Sequence, residues 1–325
     1  MSENVTFTAN HFRSNLSPED ARDLFRCSVN YVEIECFSYC NRKCGFCPNA
    51  SIPQRQDKAG NRFMPEELYL RILDDLASID YRGKVQFGRY NEPFAERIIL
   101  DRIRQARERL PKGWLYSHTN GDFLTPGYLS EIRDVGLDEV AVQVYLGNGQ
   151  PYVEEAMILR RRMILDRLGL SLAEAICAAP GLRHYHKTDF PGMLVTVDAR
   201  NFSQIGTDRG GLVQIQQRPR VAPCLIPFSS LYVDWNGSVV PCCNIRSDVP
   251  EHSPYVVSRI QDGSSIFDAF AALHGWRLGL MRFGEKSGPC ATCRYGEADV
   301  GAESAEGLER IWSMAKNLAA EIQST

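Results

Sequence analysis

The sequence predicts an α/β protein, a partial (β/α)6 TIM-like barrel followed by a smaller cysteine-rich domain. Three observations predict it. Short β-branched runs alternate with amphipathic helical stretches from about residue 31 to 215, the pattern of parallel β/α units. About five strands are clear, with a sixth expected near Leu212 to Ile215, a number that suits a partial barrel. From about residue 216 the pattern becomes that of a β-hairpin flanked by cysteines.

The elements follow in order. Residues 1–28 read as an N-terminal cap, with Ser17-Pro18-Glu19-Asp20 as a helix start and Ala21, Leu24 and Phe25 as its apolar face. Cys27 and Cys36 read as small core residues. Tyr31 to Phe37 is the first strand, and a polar loop crosses 51–62. A helix runs from about Pro65 to Ser78, then Lys84 to Gly88 forms the second strand. A helix from about Ala95 to Arg109 leads to the third strand, Trp114 to Gly121. A helix from about Pro126 to Val135 leads to the fourth, Glu139 to Tyr145. Within residues 147–193, Met157, Ile158, Met163, Ile164 and Leu165 fit a helix with Arg160, Arg161 and Arg162 on its solvated face, and Cys177 reads as core in a second helical stretch. Leu194 to Asp198 is the fifth strand. Domain boundaries are placed at 1–28, 29–215 and 216–325.

A chain of 325 residues, 44% hydrophobic and 24% charged, can bury a sizeable core. A net charge of −3 gives no basic field for nucleic acid or anionic membrane. No apolar run reaches the ~18 residues of a membrane span. The first residues lack a secretory pattern, so a cytoplasmic, reducing location is expected. The 11 cysteines then read as metal ligands or active-site thiols rather than disulfides.

Directly after the first strand come Cys40, Cys44 and Cys47, spaced C-x3-C-x2-C. A closed zinc site wants four protein ligands. Three thiolates on a cubane 4Fe–4S cluster leave one iron open for an exchangeable ligand. This spacing, with Phe46 beside Cys47, resembles the radical S-adenosylmethionine (radical SAM) superfamily. The resemblance implies that the open iron chelates S-adenosylmethionine, whose cleavage yields a 5′-deoxyadenosyl radical that abstracts a substrate hydrogen. A zinc knuckle is the bland alternative.

The resemblance extends along the chain. Tyr90-Asn91-Glu92-Pro93 stands where the family has a Gly-Gly-Glu-Pro-like motif, and matches in Glu92 and Pro93. It implies that Glu92, with the backbones of Tyr90 and Asn91, meets the methionine ammonium, for which an acceptor is suited. Thr119-Asn120-Gly121 matches the end of the family's third strand, so Ser117, Thr119 and Asn120 are expected at the cosubstrate, and His118 is expected to be structural. Arg200, just past a strand end, can pair with the methionine carboxylate or with a surface acid. Gln143 and Tyr145, on one face by period two, are expected at the barrel mouth toward substrate, and Arg209 is a further substrate candidate. His184 and His186 invite a metal reading but lack a nearby third ligand.

In the C-terminal part the spacing is Cys224-x17-Cys242-x47-Cys290-x2-Cys293. Asp234 to Gly237 reads as the turn of the hairpin. Four thiolates can enclose one cluster completely. This resembles the shortened auxiliary-cluster domain of the SPASM/twitch group and implies one auxiliary 4Fe–4S cluster, making two clusters in all. A four-cysteine zinc ribbon is the alternative. Ser265 to Met281 is expected to be one helix, and Ser304 to Ile322 an amphipathic one.

Chains resembling this one act on aminocyclitols and sugars of antibiotics. The first expectation is abstraction of a carbinol hydrogen from a sugar, aminoglycoside or oligosaccharide, with epimerisation completed by a hydrogen atom from Cys243, the leftover thiol. The alternative is two-electron dehydrogenation to a ketone, with the auxiliary cluster as electron acceptor. A peptide-modifying enzyme is weighed against the 28 residues before the first strand, too few for a winged-helix segment that binds a leader peptide. A non-catalytic zinc scaffold is the reading from another class. The expected partners are a small-molecule or oligosaccharide substrate and an electron donor such as flavodoxin or ferredoxin, with no nucleic acid and no membrane.

Overall fold

The computed structural model describes residues 8–52, 57–171, 175–215, 218–260, 263–295 and 313. The expected C-terminal amphipathic helix lies outside the described residues, save for Ser313, which is helical. The chain divides into two compact units.

One unit holds Glu33–Gly206 and Val213–Gln216. Its strands are β1 (Tyr31–Ile34, whose first two residues belong to the other unit), β2 (Lys84–Phe87), β3 (Trp114–Thr119), β4 (Glu139–Val144), β5 (Ala175–Ala179), β6 (Arg183–Phe190) and β7 (Met193–Arg200). They lie in the order β1-β2-β3-β4-β7-β6-β5. The β2–β3, β3–β4 and β4–β7 pairings are parallel. Helices α2 (Glu66–Ser78), α3 (Ile98–Arg109), α4 (Pro126–Asp134) and α5 (Glu154–Leu168) connect or follow the strands, with short α6 (Phe202–Ile205) after β7. Each long helix buries an apolar stripe: Leu68, Ile72, Leu73 and Leu76 in α2, and Ile99, Ile103 and Ala106 in α3. Burial of each such large aliphatic side chain contributes roughly 1.5–3 kcal/mol.

The α/β expectation and the helices of the first 145 residues agree with this fold. Two details differ. Residues 175–190 form two antiparallel strands, not a helix, so Cys177 stands on a strand. Pro180-Gly181, with Gly181 at φ 73°, makes the reversal. The period-two burial in β6 is carried by His184, His186 and Thr188, so a hydrophobicity pattern does not reveal it. Leu212 to Ile215 forms no strand. Arg209, Gly210 and Gly211 take φ of 53°, 65° and 92° in succession, a tight turn that leaves the β-branched pair too short a run.

The other unit comprises the described residues of Met1–Val32, Thr207–Leu212 and Gln217–Thr325. Helix α1 (Pro18–Ser28) is capped by Ser17, whose side chain accepts from the Asp20 amide. Cys27, expected in the core, is exposed on this helix because the apolar stripe runs through Ala21, Leu24 and Phe25, while Cys36 in β1's extension is buried as expected. Phe25 packs edge-on against Phe267 and Phe270. Phe12, Phe228 and Met281 form a second cluster, so the N-terminal cap shares a core with the C-terminal segments.

After short α7 (Ile226–Ser229), the expected hairpin is present as β8 (Ser230–Val233) and β9 (Ser238–Val240), with β10 (Ser258–Arg259) beyond β9. The expected single helix is two, α8 (Ile266–Ala271) and α9 (His274–Leu280). Ser265 and Asp268 form a reciprocal cap on the first. No helix among the described residues is long and apolar enough to cross a membrane.

Candidate active site and cysteine cavity

In the β/α unit the cysteine loop follows β1 and lies against the ends of β3 and β4. Asn41 Nδ2 donates to Asp122 at 2.9 Å, and Asn41 Oδ1 accepts from Asn120 Nδ2 at 2.8 Å. Arg42 grips both Asp122 oxygens and donates to the Leu146 carbonyl at 2.9 Å. The Lys43 amide donates to Asn148 Oδ1 at 2.9 Å. Burial opposes ionisation of Asp122, but the Arg42 hydrogen bonds and charge prevail and hold its carboxyl below the ordinary range.

Burial pushes the Cys40 and Cys44 thiols up to about 12, and the charges of Glu92 and the neighbouring sulfurs add to it. Thiols gathered in this way are relieved by a cationic centre, because coordination removes the proton outright. The donor set therefore fits an iron–sulfur cluster.

The segment after β2 is fixed by Gly88, whose φ is 102° and where a Cβ would stand 2.3 Å from Pro93 Cγ. The Tyr90 amide donates to Glu35 Oε1 at 3.0 Å and its carbonyl accepts from Asn49 Nδ2 at 2.6 Å. Asn91 accepts the Arg89 amide at 3.0 Å, while its buried Nδ2 has no hydrogen-bond partner among the described residues. An unsatisfied buried donor facing nothing is costly, and a ligand acceptor would satisfy it.

Glu92 is buried and accepts from Thr119 Oγ1 at 2.5 Å, from the Asn120 amide at 2.8 Å and from the Phe94 amide at 3.3 Å. Burial nevertheless raises its carboxyl to about 7. A nearby ammonium would draw it back down. Glu92 thus joins the β2 and β3 ends and keeps acceptor capacity for a cation.

The other expected residues divide. Thr119 and Asn120 belong to this network. Ser117 is buried and donates to the Phe87 carbonyl at 2.6 Å, tying β3 to β2. His118 bonds Tyr116 at 3.0 Å and is held neutral, its pKa pushed down to about 3 by burial and by Arg200. That agrees with a structural histidine. Gln143 is buried, with Nε2 3.5 Å from His118. Tyr145 lies 5.1 Å from the ring of Phe46, which stacks on Phe202 at 4.1 Å. Arg200 donates to Asp198, which also receives both nitrogens of an Arg183 fork at 2.8 Å. His184 bonds Glu154 and His186 bonds Arg161, and no three His, Cys, Asp or Glu side chains among the described residues converge as a single metal ion needs. The histidine pair is thus engaged in side-chain bonding. Sequence reading missed Asn41, Arg42, Asp122 and Phe202; polar residues inside the cysteine spacing were the available signal for the first two.

In the other unit, Cys224, Cys242, Cys243, Cys290 and Cys293 line one cavity with Arg220, Asn244 and Trp276. Burial raises the thiols of Cys224, Cys242 and Cys290, the last to about 12, and each is pushed further by neighbouring sulfurs. Cys242 feels Cys243, Cys290 and Cys293, which agrees with its place beside the C-x2-C pair. Asn244 Nδ2 donates to Cys293 Sγ at 3.5 Å, and Asn244 Oδ1 accepts from Thr207 at 2.8 Å and Arg209 at 3.2 Å. Arg209 therefore belongs to the cysteine-lined unit. Cys243 also packs on the cluster of Tyr232, Val240 and Ile245.

An α/β sheet with a C-x3-C-x2-C loop at its strand ends, and a separate cysteine-lined cavity, define a class. Residues 34–164 match the Radical SAM superfamily and residues 224–294 the SPASM iron–sulfur cluster-binding domain. The chain therefore carries a Radical SAM domain followed by a SPASM domain, and these imply S-adenosylmethionine with a 4Fe–4S cluster and an auxiliary iron–sulfur cluster as its cofactors.

Among characterised proteins, it is 25% identical over 213 residues to the S-adenosyl-L-methionine-dependent 2-deoxy-scyllo-inosamine dehydrogenase of Niallia circulans, covering 65% of this chain and 72% of that one. It is 31% identical over 113 residues to the tungsten-containing aldehyde ferredoxin oxidoreductase cofactor-modifying protein of Pyrococcus furiosus, covering 34% of this chain and 30% of that one. The crystal structure of BtrN with AdoMet and 2-DOIA superposes with a TM-score of 0.55 at 22% identity, over 78% of this chain and 87% of that one. BtrN in an open conformation gives 0.53 at 20% identity, over 82% and 92%. These two share the fold.

Proposed function

We propose that this enzyme is a dehydrogenase that oxidises a ring carbinol of an aminocyclitol to the ketone. The observation that carries this reading is the cavity lined by Cys224, Cys242, Cys290 and Cys293. Four protein sulfurs saturate a cluster, which leaves it electron transfer rather than substrate ligation. The dehydrogenase activity of the Niallia circulans relative points the same way.

Oxidation of a secondary carbinol removes one hydrogen atom from carbon, then one proton from oxygen and one electron, and leaves the ketone. When bound, S-adenosylmethionine on its cluster supplies the hydrogen-abstracting carbon radical and the auxiliary cluster the one-electron acceptor. The chain's own residues bind and orient. Cys40, Cys44 and Cys47 would hold the first cluster. Glu92 and the backbones of Tyr90 and Asn91 would meet the methionine ammonium, Asn91 Nδ2 has a hydrogen left to donate to the same ligand, and Thr119 and Asn120 complete that wall through Glu92. Arg200, which donates to Asp198, would also meet the methionine carboxylate. Ser117 supports the wall through the Phe87 carbonyl. Gln143, Tyr145 and Arg209 are the substrate candidates.

Epimerisation through Cys243 is the second reading. It is favoured by a fifth thiol in the cysteine cavity. Against it, Cys243 is half-buried and packed on Tyr232, Val240 and Ile245. The deciding experiment supplies aminocyclitols deuterated at the carbinol carbon. The dehydrogenase reading expects deuterium in 5′-deoxyadenosine and a ketone product, in both the native enzyme and C243A. An inverted alcohol carrying solvent hydrogen, lost in C243A, would establish the epimerase instead.

A further inference from the structure

Three arginines in the cysteine-lined unit are wholly buried: Arg220, Arg246 and Arg277. Arg246 has a carboxylate, Asp248, at 2.9 Å. Arg277 donates to the carbonyls of Pro227, His11 and Phe270 and does not line the cysteine cavity. Arg220 does line it. Its guanidinium donates only to backbone carbonyls among the described residues: Ala222 at 2.9 Å, Cys293 at 3.2 Å, and those of Pro223 and Tyr295. No carboxylate among the described residues pairs with it.

An unpaired buried cation costs several kcal/mol unless a counter-charge is supplied. Among the described residues that line the cavity, the only groups that can carry negative charge beside it are cysteine sulfurs. Its guanidinium donates to the carbonyl of Pro223, the residue before Cys224, and to that of Cys293, so its charge stands beside the first and the last of the four ligand cysteines. A cluster with four thiolates is anionic and gains one further negative charge on reduction. A fixed cation in a low-dielectric wall favours that reduced state.

We infer that Arg220 is a positioning residue for electron acceptance: its charge raises the reduction potential of the auxiliary cluster, while its carbonyl bonds fasten the Cys224 segment to the Cys293 segment. Lys286 adds charge of the same sign from a more open position, since it too acts on Cys224 and Cys290. Asp208 opposes both at Cys290. The Asn244 amide on Cys293 works in the same direction as Arg220. The inference deepens the dehydrogenase reading, in which this cluster takes the second electron.

The test is an anaerobic redox titration of the substrate-free holoenzyme, following by EPR the signal that does not respond to S-adenosylmethionine. R220Q keeps a polar side chain and removes the charge. R220K keeps the charge and removes the fork. The expected result is that R220Q shifts the one-electron equilibrium against reduction by about tenfold or more, a lowering of about 59 mV, while R220K stays within about threefold of the native enzyme. An unchanged potential in R220Q, or an equal fall in R220K, overturns the inference. If R220Q does not assemble its cluster, R220K decides alone: a native potential supports the charge role and a tenfold fall overturns it. Failure of both to assemble restricts Arg220 to fastening the segments and also overturns the electrostatic role. The potential is read without substrate, so its outcome is separate from whether the product is a ketone.

Discussion

Arg42 donates from Nε and Nη2 to the two carboxylate oxygens of Asp122, each at 2.6 Å. The pair is 80 residues apart in sequence and joins the cysteine loop to the end of β3. Both side chains are largely withdrawn from solvent, at 12% and 25% exposure, so the fork is worth more than a surface ion pair. D122A should cost the loop roughly 1.5–3 kcal/mol of order. It should weaken S-adenosylmethionine binding by about tenfold or more and lower iron retention in the first site, with the auxiliary cluster's EPR signal unchanged. Isothermal titration with S-adenosylmethionine and cluster-resolved EPR check this.

Substituting the ligand cysteines separates the two centres. C47A should lower the iron content by about four per chain and abolish formation of 5′-deoxyadenosine. C293A should also lower iron, but leave slow cleavage of S-adenosylmethionine in the presence of dithionite. Iron analysis and chromatography of the nucleoside read both. Loss of all iron from either single variant would show that the centres depend on each other for assembly.

Gly88 sets the path of the chain from β2 into Tyr90-Asn91-Glu92. An alanine there meets Pro93 Cγ at 2.3 Å and must adopt a φ of 102°. G88A should therefore lose about 1–3 kcal/mol of stability and displace the Glu92 carboxylate from Thr119 and Asn120. A lowered thermal midpoint with markedly weakened S-adenosylmethionine binding is the expected pair of readings.

His11 gives the other unit a pH dependence. Its ring is buried beside Arg277 and accepts or donates at Ser28 Oγ, 3.0 Å away. Burial, then the Arg277 charge, pushes its pKa from 6.5 down to about 4. The fold thus favours neutral His11. Its contribution is complete above pH 6.5 and is lost as pH falls toward 4. Between about pH 7.5 and pH 5 the native enzyme should lose roughly 2 kcal/mol relative to H11Q, which carries no titrating ring. Urea midpoints of the two proteins at both pH values measure it.

The sequence disclosed the helices, the parallel strands and both cysteine groups, because each rests on local pattern: apolar periodicity in α2, β-branched runs in β4 and β7, and fixed spacing from Cys40 to Cys47. It did not disclose the β5–β6 hairpin, whose buried face is built from His184, His186 and Thr188 and whose packing depends on Glu154 and Arg161 far along the chain. The buried arginines were equally hidden. Arg220 lies between prolines and reads as a surface loop residue until the carbonyls of Cys293 and Tyr295 are brought to it. Glu92 was legible as an acceptor, but its grip on Thr119 and Asn120 belongs to the folded strand ends.

The reversed hairpin has one more result. Because β6 runs against β7, Arg183 pairs with Arg200, and the turn at 180–182 stands at the same rim as the ends of the parallel strands. A rim made this way grows or shrinks by residue pairs without turning any inward side chain outward. Related enzymes can therefore remodel the lip around their substrates by insertion at a single reversal, leaving the radical-generating strands undisturbed.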